Sequence, residues 1–391
     1  MTRIGILTGG GDVPGLNSII KSVVYRGSEI GWETLGIRRG WMGLTHLGPA
    51  GEADGQYVAH LNRESTRAID RTGGTILHTS RTNPGRMPRE SLPPTVDSER
   101  LASLEADEGR YDLTPIVLEN IARLGVTHLV AIGGDDTLGY ADRLSREGVA
   151  LVAIPKTMDN DVQGTEYCVG FSTAVTRAKE LINRQRTTLG SHERIGVFRI
   201  FGRNSGYSAW YAAYVSSSRC VIPGAPFDLD QLATLLSEDR MANPSRYALV
   251  IASEGAAWSG GSLQEYGEPD QYGHRRPVDI GSTLADELHR RTGVETVHSD
   301  LTYDLRSGDP DALDQMVATT FANVAVDLLA DGASGRMVAI RDGKYAHAPL
   351  PDPALGPRHI DVATMYSTER FRPLYGHRLG MPLLLGPPIG H

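Results

Sequence analysis

A recurring pattern, in which a short apolar run ends at a loop and a helical segment follows, most constrains how this chain can fold. Such runs cover residues 4–7, 128–132, 151–154 and 249–252. Strands that alternate with helices form parallel sheets whose faces are covered by the helices. The pattern therefore predicts an α/β fold, in which ligands bind at the carboxyl ends of the strands.

Length and charge narrow the class further. The chain has 391 residues, which at about 150 residues per domain predicts two to three domains. Its net charge of −8 argues against a general nucleic-acid-binding surface. No charged leader precedes the first apolar run and no apolar stretch is long enough to span a membrane. We therefore expect a cytoplasmic protein that contacts neither nucleic acid nor membrane.

Two long segments interrupt the pattern. Residues 83–112 are rich in Pro, Arg, Glu and Ser and predict a surface insertion. Near the C-terminus, the aromatic-bearing residues 358–375 could dock on the core, and residues 379–391 resemble a tail. Cys168 and Cys220 are too few for a disulfide scaffold or a thiolate metal site, so we interpret both as ordinary small residues.

Glycine is the compositional outlier, at 45 of 391 residues or 11.5%, against an average of about 7%. Three glycines lie in the loop after the first apolar run, which reads TGGGDVPGLN over residues 8–17. Consecutive glycines let backbone N–H groups approach an anion at a helix N-terminus. The loop matches neither a Walker A motif nor a dinucleotide fingerprint. It predicts either a phosphate site or a plain tight turn.

Carboxylates follow two further runs. The sequence IGGDDT presents Asp135 and Asp136, which suit a hard cation such as Mg²⁺ or the N-cap of the next helix. The sequence PKTMDND places Asp159 and Asp161 beside Lys156, which suits proton transfer and phosphate binding or an Asx-turn with solvated charges. Three such loops at strand ends together favour the chemical interpretation.

Six motifs in a fixed order carry a family resemblance: GGGDVPGLN, GGT followed by SR, IGGDDT, PKTMDND, the GR after Phe201, and SEGA at residues 253–256. This order resembles the phosphofructokinase A family over residues 2 to about 345. The resemblance implies two Rossmann-like parallel-sheet lobes with the active site in the cleft between them. It also implies phosphoryl transfer to the 1-hydroxyl of fructose 6-phosphate, giving fructose 1,6-bisphosphate.

Domain boundaries follow from the same resemblance. The donor-binding lobe is predicted to comprise residues 1–170 plus about 305–347, including the 83–112 insertion. The sugar-binding lobe is predicted to comprise residues 171–304 plus about 348–378.

The resemblance also implies roles for individual residues. Asp159 matches the general base, with Thr157 and Asp161 beside the transferred phosphoryl group. Arg203 matches an arginine near that group, and Asp135 matches the carboxylate associated with Mg²⁺. The donor-binding positions are Gly10, Gly11, Arg81, Asp136 and Lys156.

Asp136 and Lys156 bear on the donor. In members that use ATP, glycines usually occupy these two positions. A carboxylate at the first would repel the α-phosphate of a nucleotide, whereas a lysine at the second suits a compact, highly charged donor. The pair resembles the pyrophosphate-dependent group, although the two side chains could instead simply pair with each other. We expect pyrophosphate as the donor, with ATP as the alternative.

The acceptor side departs from the family. The family's ETR…LGHxQRGG stretch here contains Val297 in place of an arginine and Tyr303 in place of a histidine, with Arg306 retained. Charge-assisted contacts to phosphate are strong. Either a substitution elsewhere restores phosphate binding, with His298 as a candidate, or the acceptor is another ketose, such as a C6-sulfonated sugar or another sugar phosphate. The predicted acceptor-binding residues are Arg194, Phe201, Gly202, Glu254, Tyr303 and Arg306.

Arg194 matches an arginine that enters a neighbouring subunit's site, which implies a homodimer or homotetramer. From a different functional class, a non-catalytic ligand-sensing homologue is the alternative. The joint presence of Asp135, Asp159, Asp161 and Arg203 argues against it, because a sensor need not keep a base together with a metal site.

Overall fold

The computed structural model describes residues 2–107, 109–259, 265–266, 276–277, 280–376 and 379. Most of the predicted tail, from residue 380 onward, lies outside the described residues. In chain order, the described strands are β1 (Arg3–Thr8), β2 (Glu33–Ile37), β3 (Val58–Leu61), β4 (Met87–Pro88), β5 (Glu105–Asp107), β6 (Arg110–Tyr111), β7 (His128–Gly133), β8 (Leu151–Pro155), β9 (Ile195–Ile200), β10 (Arg219–Val221), β11 (Ala248–Ser253), β12 (Glu265–Tyr266), β13 (Arg276–Pro277), β14 (Thr296–Asp300), β15 (Arg336–Arg341), β16 (Lys344–Pro349), β17 (Tyr366–Ser367) and β18 (Arg372–Pro373).

The described α-helices are α1 (Leu16–Glu29), α2 (Trp41–Thr45), α3 (Ser98–Leu104), α4 (Thr114–Arg123), α5 (Asp135–Arg146), α6 (Phe171–Ser191), α7 (Tyr207–Ser216), α8 (Leu229–Ala242), α9 (Ile280–Thr292), α10 (Ala312–Ala330) and α11 (Val362–Met365). Short 3-10 helices cover Gly51–Ala53, Ile69–Arg71, Pro84–Arg86, Arg89–Ser91, Asp304–Arg306 and Pro353–Leu355. No helix in the described ranges is long and apolar enough to cross a membrane.

The first large sheet has the strand order β16-β15-β8-β7-β1-β2-β3. Its five central strands are parallel, whereas β3 and β16 join the edges in antiparallel pairing. All of β8 and nearly all of β7 is buried, because helices cover both faces of the sheet. The predicted α/β fold is confirmed.

The second sheet has the order β10-β11-β9-β14, and all of its pairs are parallel. The last residues of β9, β11 and β14 therefore lie at one edge, as do those of β1, β7 and β8 in the first sheet. A single hydrophobic cluster contains Ile4 and Val130 of the first sheet together with Val197 and Val250 of the second. The two sheets thus share one core.

Residues 83–112 form a small folded unit with a core of their own. The strand order β4-β6-β5 makes a three-stranded sheet in the described part of the segment. Met87, Leu104 and Tyr111 pack with Leu113 and Ile116 at the start of α4. The sequence predicted a surface insertion with little periodicity, because strands of two or three residues are too short to show an alternating pattern.

The C-terminal segment contacts both parts of the molecule. Met365 accepts a hydrogen bond of 2.7 Å from Trp210 of α7, and the Tyr366 hydroxyl donates to the carbonyl of Cys220 at 2.6 Å. These contacts dock the aromatic-bearing segment on the second sheet. Pro353 instead lies against Gly139 of α5, where a Cβ would come within 2.9 Å of the proline ring.

Candidate active site

The carboxyl ends of both sheets enclose a cavity of about 1000 Å³. It is lined by nearly all of the residues that the sequence predicted, with Arg194 and Gly202 as the exceptions. We call one part the first-sheet side, formed by Gly10, Gly11, Arg81, Asp135, Asp136, Lys156, Thr157, Asp159 and Asp161. We call the other part the second-sheet side, formed by Arg199, Phe201, Arg203, Glu254, Asp300, Tyr303 and Arg306.

The glycine-rich loop after β1 is held tightly against its neighbours. The N–H of Gly10 donates to the carbonyl of Ser80 at 2.9 Å, while Gly11 donates to nothing in the described part of the chain. Gly10 has a φ of 77°, a left-handed conformation that favours glycine. Of these two predicted donor-binding residues, Gly11 is therefore the one whose amide is available to a ligand.

Asp135 and Asp136 lie in the first turn of α5, where the helix dipole favours negative charge. Gly134 occupies the N-cap position, so the alternative interpretation of Asp135 as an N-cap is wrong. Burial, together with the charges of Asp161 and Asp136, raises the pKa of Asp135 to about 7. Crowded carboxylates of this kind are suited to a divalent cation.

A cation at Asp135 would need further ligands beyond the side chains of the described residues. Among the described residues, no group of three or more His, Cys, Asp or Glu side chains is arranged to hold a metal. This sparse set fits Mg²⁺, which typically takes one or two carboxylates and completes its shell with water and phosphate oxygens.

The loop after β8 holds Asp159 through its backbone. Ser205 and Ser208 donate to the carbonyls of Asp159 and Met158, each at 2.9 Å. Asn160 has a φ of 51°, and its side-chain amide donates to the carbonyl of Glu166 at 2.9 Å. These bonds, from Ser208 of α7, from Ser205 just before it and from within the loop, hold the backbone that carries the Asp159 side chain.

One oxygen of the Asp159 carboxylate lacks a hydrogen bond within the described part of the chain. This oxygen, Oδ1, is buried. Burial, then the negative charges of Asp161 and Glu254, raise the pKa of Asp159 well above its usual value. A buried carboxylate without a partner is costly and is expected where it receives a proton from a ligand.

Arg358 supports this loop from the C-terminal segment, and no sequence pattern predicted its role. Its backbone N–H donates to the carbonyl of Asp161. Its guanidinium donates to the carbonyl of Thr165 and, at 3.1 Å, to the hydroxyl of Tyr207. The residue is buried, so it ties the second sheet's helix α7 to the Asp159 loop.

Lys156 is buried, with 3% of its surface exposed. Its ammonium donates to the carbonyl of Gly11. The alternative interpretation, in which Lys156 and Asp136 simply pair, stays a prediction. Burial and the nearby Arg306 charge lower the pKa of Lys156 to about 8.

Arg306 reaches across the cavity from the second-sheet side. Its guanidinium stacks on Phe201 at 4.8 Å and on Tyr303 at 5.7 Å from the ring centres. A Cβ on Gly11 would meet the same guanidinium at 3.0 Å. The side chain makes no hydrogen bond or ion pair within the described ranges, so its charge is available to an anion beside the glycine-rich loop.

Arg199 and Asp300 line the second-sheet side, and the sequence analysis missed both. Arg199 contacts Asp300 at 2.9 Å and Glu254 at 3.4 Å. Both new residues are charged positions at the carboxyl ends of their strands, Arg199 in the otherwise apolar β9 and Asp300 as the last residue of β14. That placement is a usable signal, because ligands bind at strand ends in this kind of fold.

Three residues considered for the acceptor do not line the cavity. Arg194 pairs with Glu295 at 2.6 Å, and Gly202 accepts a hydrogen bond from Ser253. His298 faces Gly281 of α9, where a Cβ would meet its Nε2 at 2.3 Å. His298 therefore does not restore a phosphate contact in this site.

Two α/β lobes that share a cleft lined by carboxylates, a buried lysine and arginines define a class of two-lobed phosphoryl-transfer enzyme. The comparison with family models makes the assignment specific, because residues 3–329 match the model described as "Phosphofructokinase". The chain belongs to the phosphofructokinase family.

Relatives within this family differ in their donors. The chain is 39% identical to a pyrophosphate–fructose 6-phosphate 1-phosphotransferase of Amycolatopsis methanolica, over 87% of this chain and 90% of the relative. It is 36% identical to an ATP-dependent 6-phosphofructokinase 3 of Streptomyces coelicolor, over 90% and 94%. The solved pyrophosphate-dependent phosphofructokinase of Marinobacter aquaeolei has the same fold, with a TM-score of 0.73 and 17% identity over 100% of this chain and 94% of that one.

Proposed function

We propose that this protein transfers a phosphoryl group from pyrophosphate to the 1-hydroxyl of fructose 6-phosphate, giving fructose 1,6-bisphosphate and phosphate, a glycolytic step, in the cytoplasm. The observation that carries the proposal is the buried, unpartnered Oδ1 of Asp159. Lys156 and Glu254 line the same cavity, and the charge of Glu254 raises the pKa of Asp159 while that of Lys156 lowers it. A substrate hydroxyl placed there has a base within reach.

In this mechanism Asp159 accepts the proton of the 1-hydroxyl of the sugar. The oxygen of that hydroxyl attacks a phosphorus atom of pyrophosphate at the same time. The new P–O bond forms as the bond to the bridging oxygen breaks, and the remaining phosphate leaves. A raised carboxyl pKa suits a general base that works near neutral pH. Asp161 and Thr157 then position the transferred group, and Arg203 and Arg306 stabilise its charge.

Enzymes of this family generally use a divalent metal, and we propose Mg²⁺ held by Asp135. When bound, the ion neutralises charge on the oxygens of the donor. The fit rests on the raised pKa of Asp135 among Asp136 and Asp161, since the crowding of these carboxylates is relieved by a cation.

Pyrophosphate is favoured over ATP by Lys156 and Asp136. The ammonium of Lys156 is fixed beside Gly11 and Arg306 at the floor of the cavity, where a compact donor would be bound. ATP is the second candidate, because an ATP-dependent relative is 36% identical to this chain. Turnover with ATP and none with pyrophosphate would contradict the proposed donor.

The deciding experiment is a matrix of pyrophosphate, ATP and ADP against fructose 6-phosphate, sedoheptulose 7-phosphate and C6-modified ketoses, with Mg²⁺ present. We expect turnover with pyrophosphate and fructose 6-phosphate. Turnover of another ketose, and none of fructose 6-phosphate, would contradict the proposed acceptor but not the phosphoryl transfer. Val297 and Tyr303 are the residues that make this second outcome worth testing. Absence of transfer for every pair would leave the ligand-sensing alternative.

We also propose a homodimer or homotetramer in which Arg194 enters a neighbouring subunit's acceptor site. In the single chain Arg194 pairs with Glu295 outside the cavity, which supports a role elsewhere. Arg194→Ala should raise the acceptor KM and leave the pyrophosphate KM unchanged. An active monomer by light scattering whose acceptor KM does not change would refute the shared site.

A further inference from the structure

Arg199 lies between two carboxylates at the point where three strand ends of the second sheet meet. It is the register neighbour of Asp300 on β14, and its Nη1 lies 2.9 Å from Asp300 Oδ2. Its Nη2 lies 3.4 Å from Oε2 of Glu254, which follows β11. The Arg199 and Glu254 side chains are 14% and 11% exposed, so solvent screens their interaction less than it would at the surface.

This cluster has the wrong charge for a phosphate and the right chemistry for hydroxyls. Two carboxylates around one guanidinium carry a net negative charge, which would repel the phosphate end of a sugar. Ionised carboxylates act only as hydrogen-bond acceptors, and sugar hydroxyls are donors. Asp300 is 42% exposed and lines the cavity, so one face of it is open to a ligand.

We infer that Arg199 is a positioning residue that orients Glu254 and Asp300 so that both accept hydrogen bonds from the secondary hydroxyls of a ketose. The inference rests on the proposed function and adds to it the orientation of the acceptor sugar in the cavity. The hydroxyl edge of the sugar faces the Arg199 cluster, and its anionic end points away from it.

Electrostatics around Glu254 give this role a measurable signature. Burial raises the pKa of Glu254, and three arginines oppose the rise while a carboxylate adds to it. The charged groups that face Glu254 are Arg199, Arg203, Arg306, Asp300 and Asp159. Removing Arg199 should raise the pKa of Glu254 further, so the acid limb of kcat/KM for the acceptor should move to higher pH.

The first test compares Arg199→Met and Arg199→Lys with the wild-type enzyme, using pyrophosphate and Mg²⁺ at saturation. Losing charge-assisted orientation should raise the fructose 6-phosphate KM by about tenfold or more in Arg199→Met. The pyrophosphate KM of Arg199→Met should change less than about twofold. Arg199→Lys keeps a positive charge, so its acid limb of kcat/KM should lie close to the wild-type pH. Arg290→Met is the matched control, since Arg290 is exposed on α9 and pairs with Glu287 at 2.7 Å, its only ion-pair partner among the described residues.

The second test does not depend on how well Arg199→Met folds. Asp300→Ala and the wild type are each assayed with fructose 6-phosphate and with analogues that lack the 3- or the 4-hydroxyl. The wild type should lose kcat/KM on one of the analogues, and Asp300→Ala should reduce that loss, because its partner for the hydroxyl is already gone. Equal losses in both enzymes for both analogues would overturn the assignment of Asp300.

The outcomes separate the inference from the proposed function. A wild-type enzyme that phosphorylates no ketose contradicts both. Only the inference is contradicted if the wild-type enzyme is active and a folded Arg199→Met variant keeps the same acceptor KM and the same acid limb of kcat/KM.

Discussion

The charged side chains on the two sides of the cavity have different surroundings. On the first-sheet side, Lys156 is buried and fixed by a backbone carbonyl. Burial, and after it the charge of Asp161, raises the pKa of both Asp135 and Asp159. On the second-sheet side, Arg199 contacts two carboxylates, and Arg306 stacks on aromatic rings. The crowded carboxylates of the first side therefore suit phosphoryl transfer, whereas the carboxylates that Arg199 holds on the second side suit recognition by hydrogen bonds.

The largest effect should come from Asp159→Asn. Losing the base should lower kcat by about 10²- to 10⁴-fold, with acceptor KM little changed. Because Asp159 Oδ1 is buried without a partner in the described chain, neutralising it should leave the melting temperature unchanged or raise it. Steady-state kinetics and thermal unfolding measure both, with the exposed Asp331→Asn as control. An active, well-folded variant would remove Asp159 from the mechanism.

Lys156→Met tests the buried positive charge on the first-sheet side. The lysine is a cation below a pKa of about 8, so kcat/KM for pyrophosphate should fall as pH rises through about 8. Removing a charge-assisted contact of about 1.5–3 kcal/mol should lower kcat/KM for pyrophosphate by about 10- to 150-fold. It should also abolish the alkaline limb. A pH–rate profile of both enzymes checks this, and a limb that persists in Lys156→Met belongs to another group.

Metal binding should depend on pH through Asp135. With its pKa raised to about 7, the carboxyl is protonated below that pH and competes with a cation, so affinity should rise as pH increases. Mg²⁺ affinity should differ by about tenfold per pH unit below the pKa for a single proton. Titrations at pH 6 and pH 8 with wild-type protein and Asp135→Asn measure this, and equal slopes in the two proteins would exclude Asp135.

The same contrast explains what could be predicted from the sequence. Residues of the first-sheet side follow directly after apolar strands in contiguous motifs, so Asp135, Lys156 and Asp159 were found from local pattern. Arg199 and Asp300 come together only through the register of β9 with β14, and Arg358 contacts the Asp159 loop from nearly 200 positions away. Such contacts depend on tertiary packing, which local periodicity does not encode.

The smallest effect should come from Tyr303→His, which places a titratable cation on the second-sheet side. Tyr303 is 71% exposed and makes an edge-to-face contact with Phe201 at 5.5 Å. Since solvent screens so exposed a position, the fructose 6-phosphate KM should fall by only about two- to fivefold, and only below about pH 6.5, where histidine is charged. Tyr303→Phe, which keeps the ring and adds no charge, is the control. An equal fall in KM for both variants would assign the effect to the lost hydroxyl, and no fall would show that the anionic end of the acceptor does not reach Tyr303.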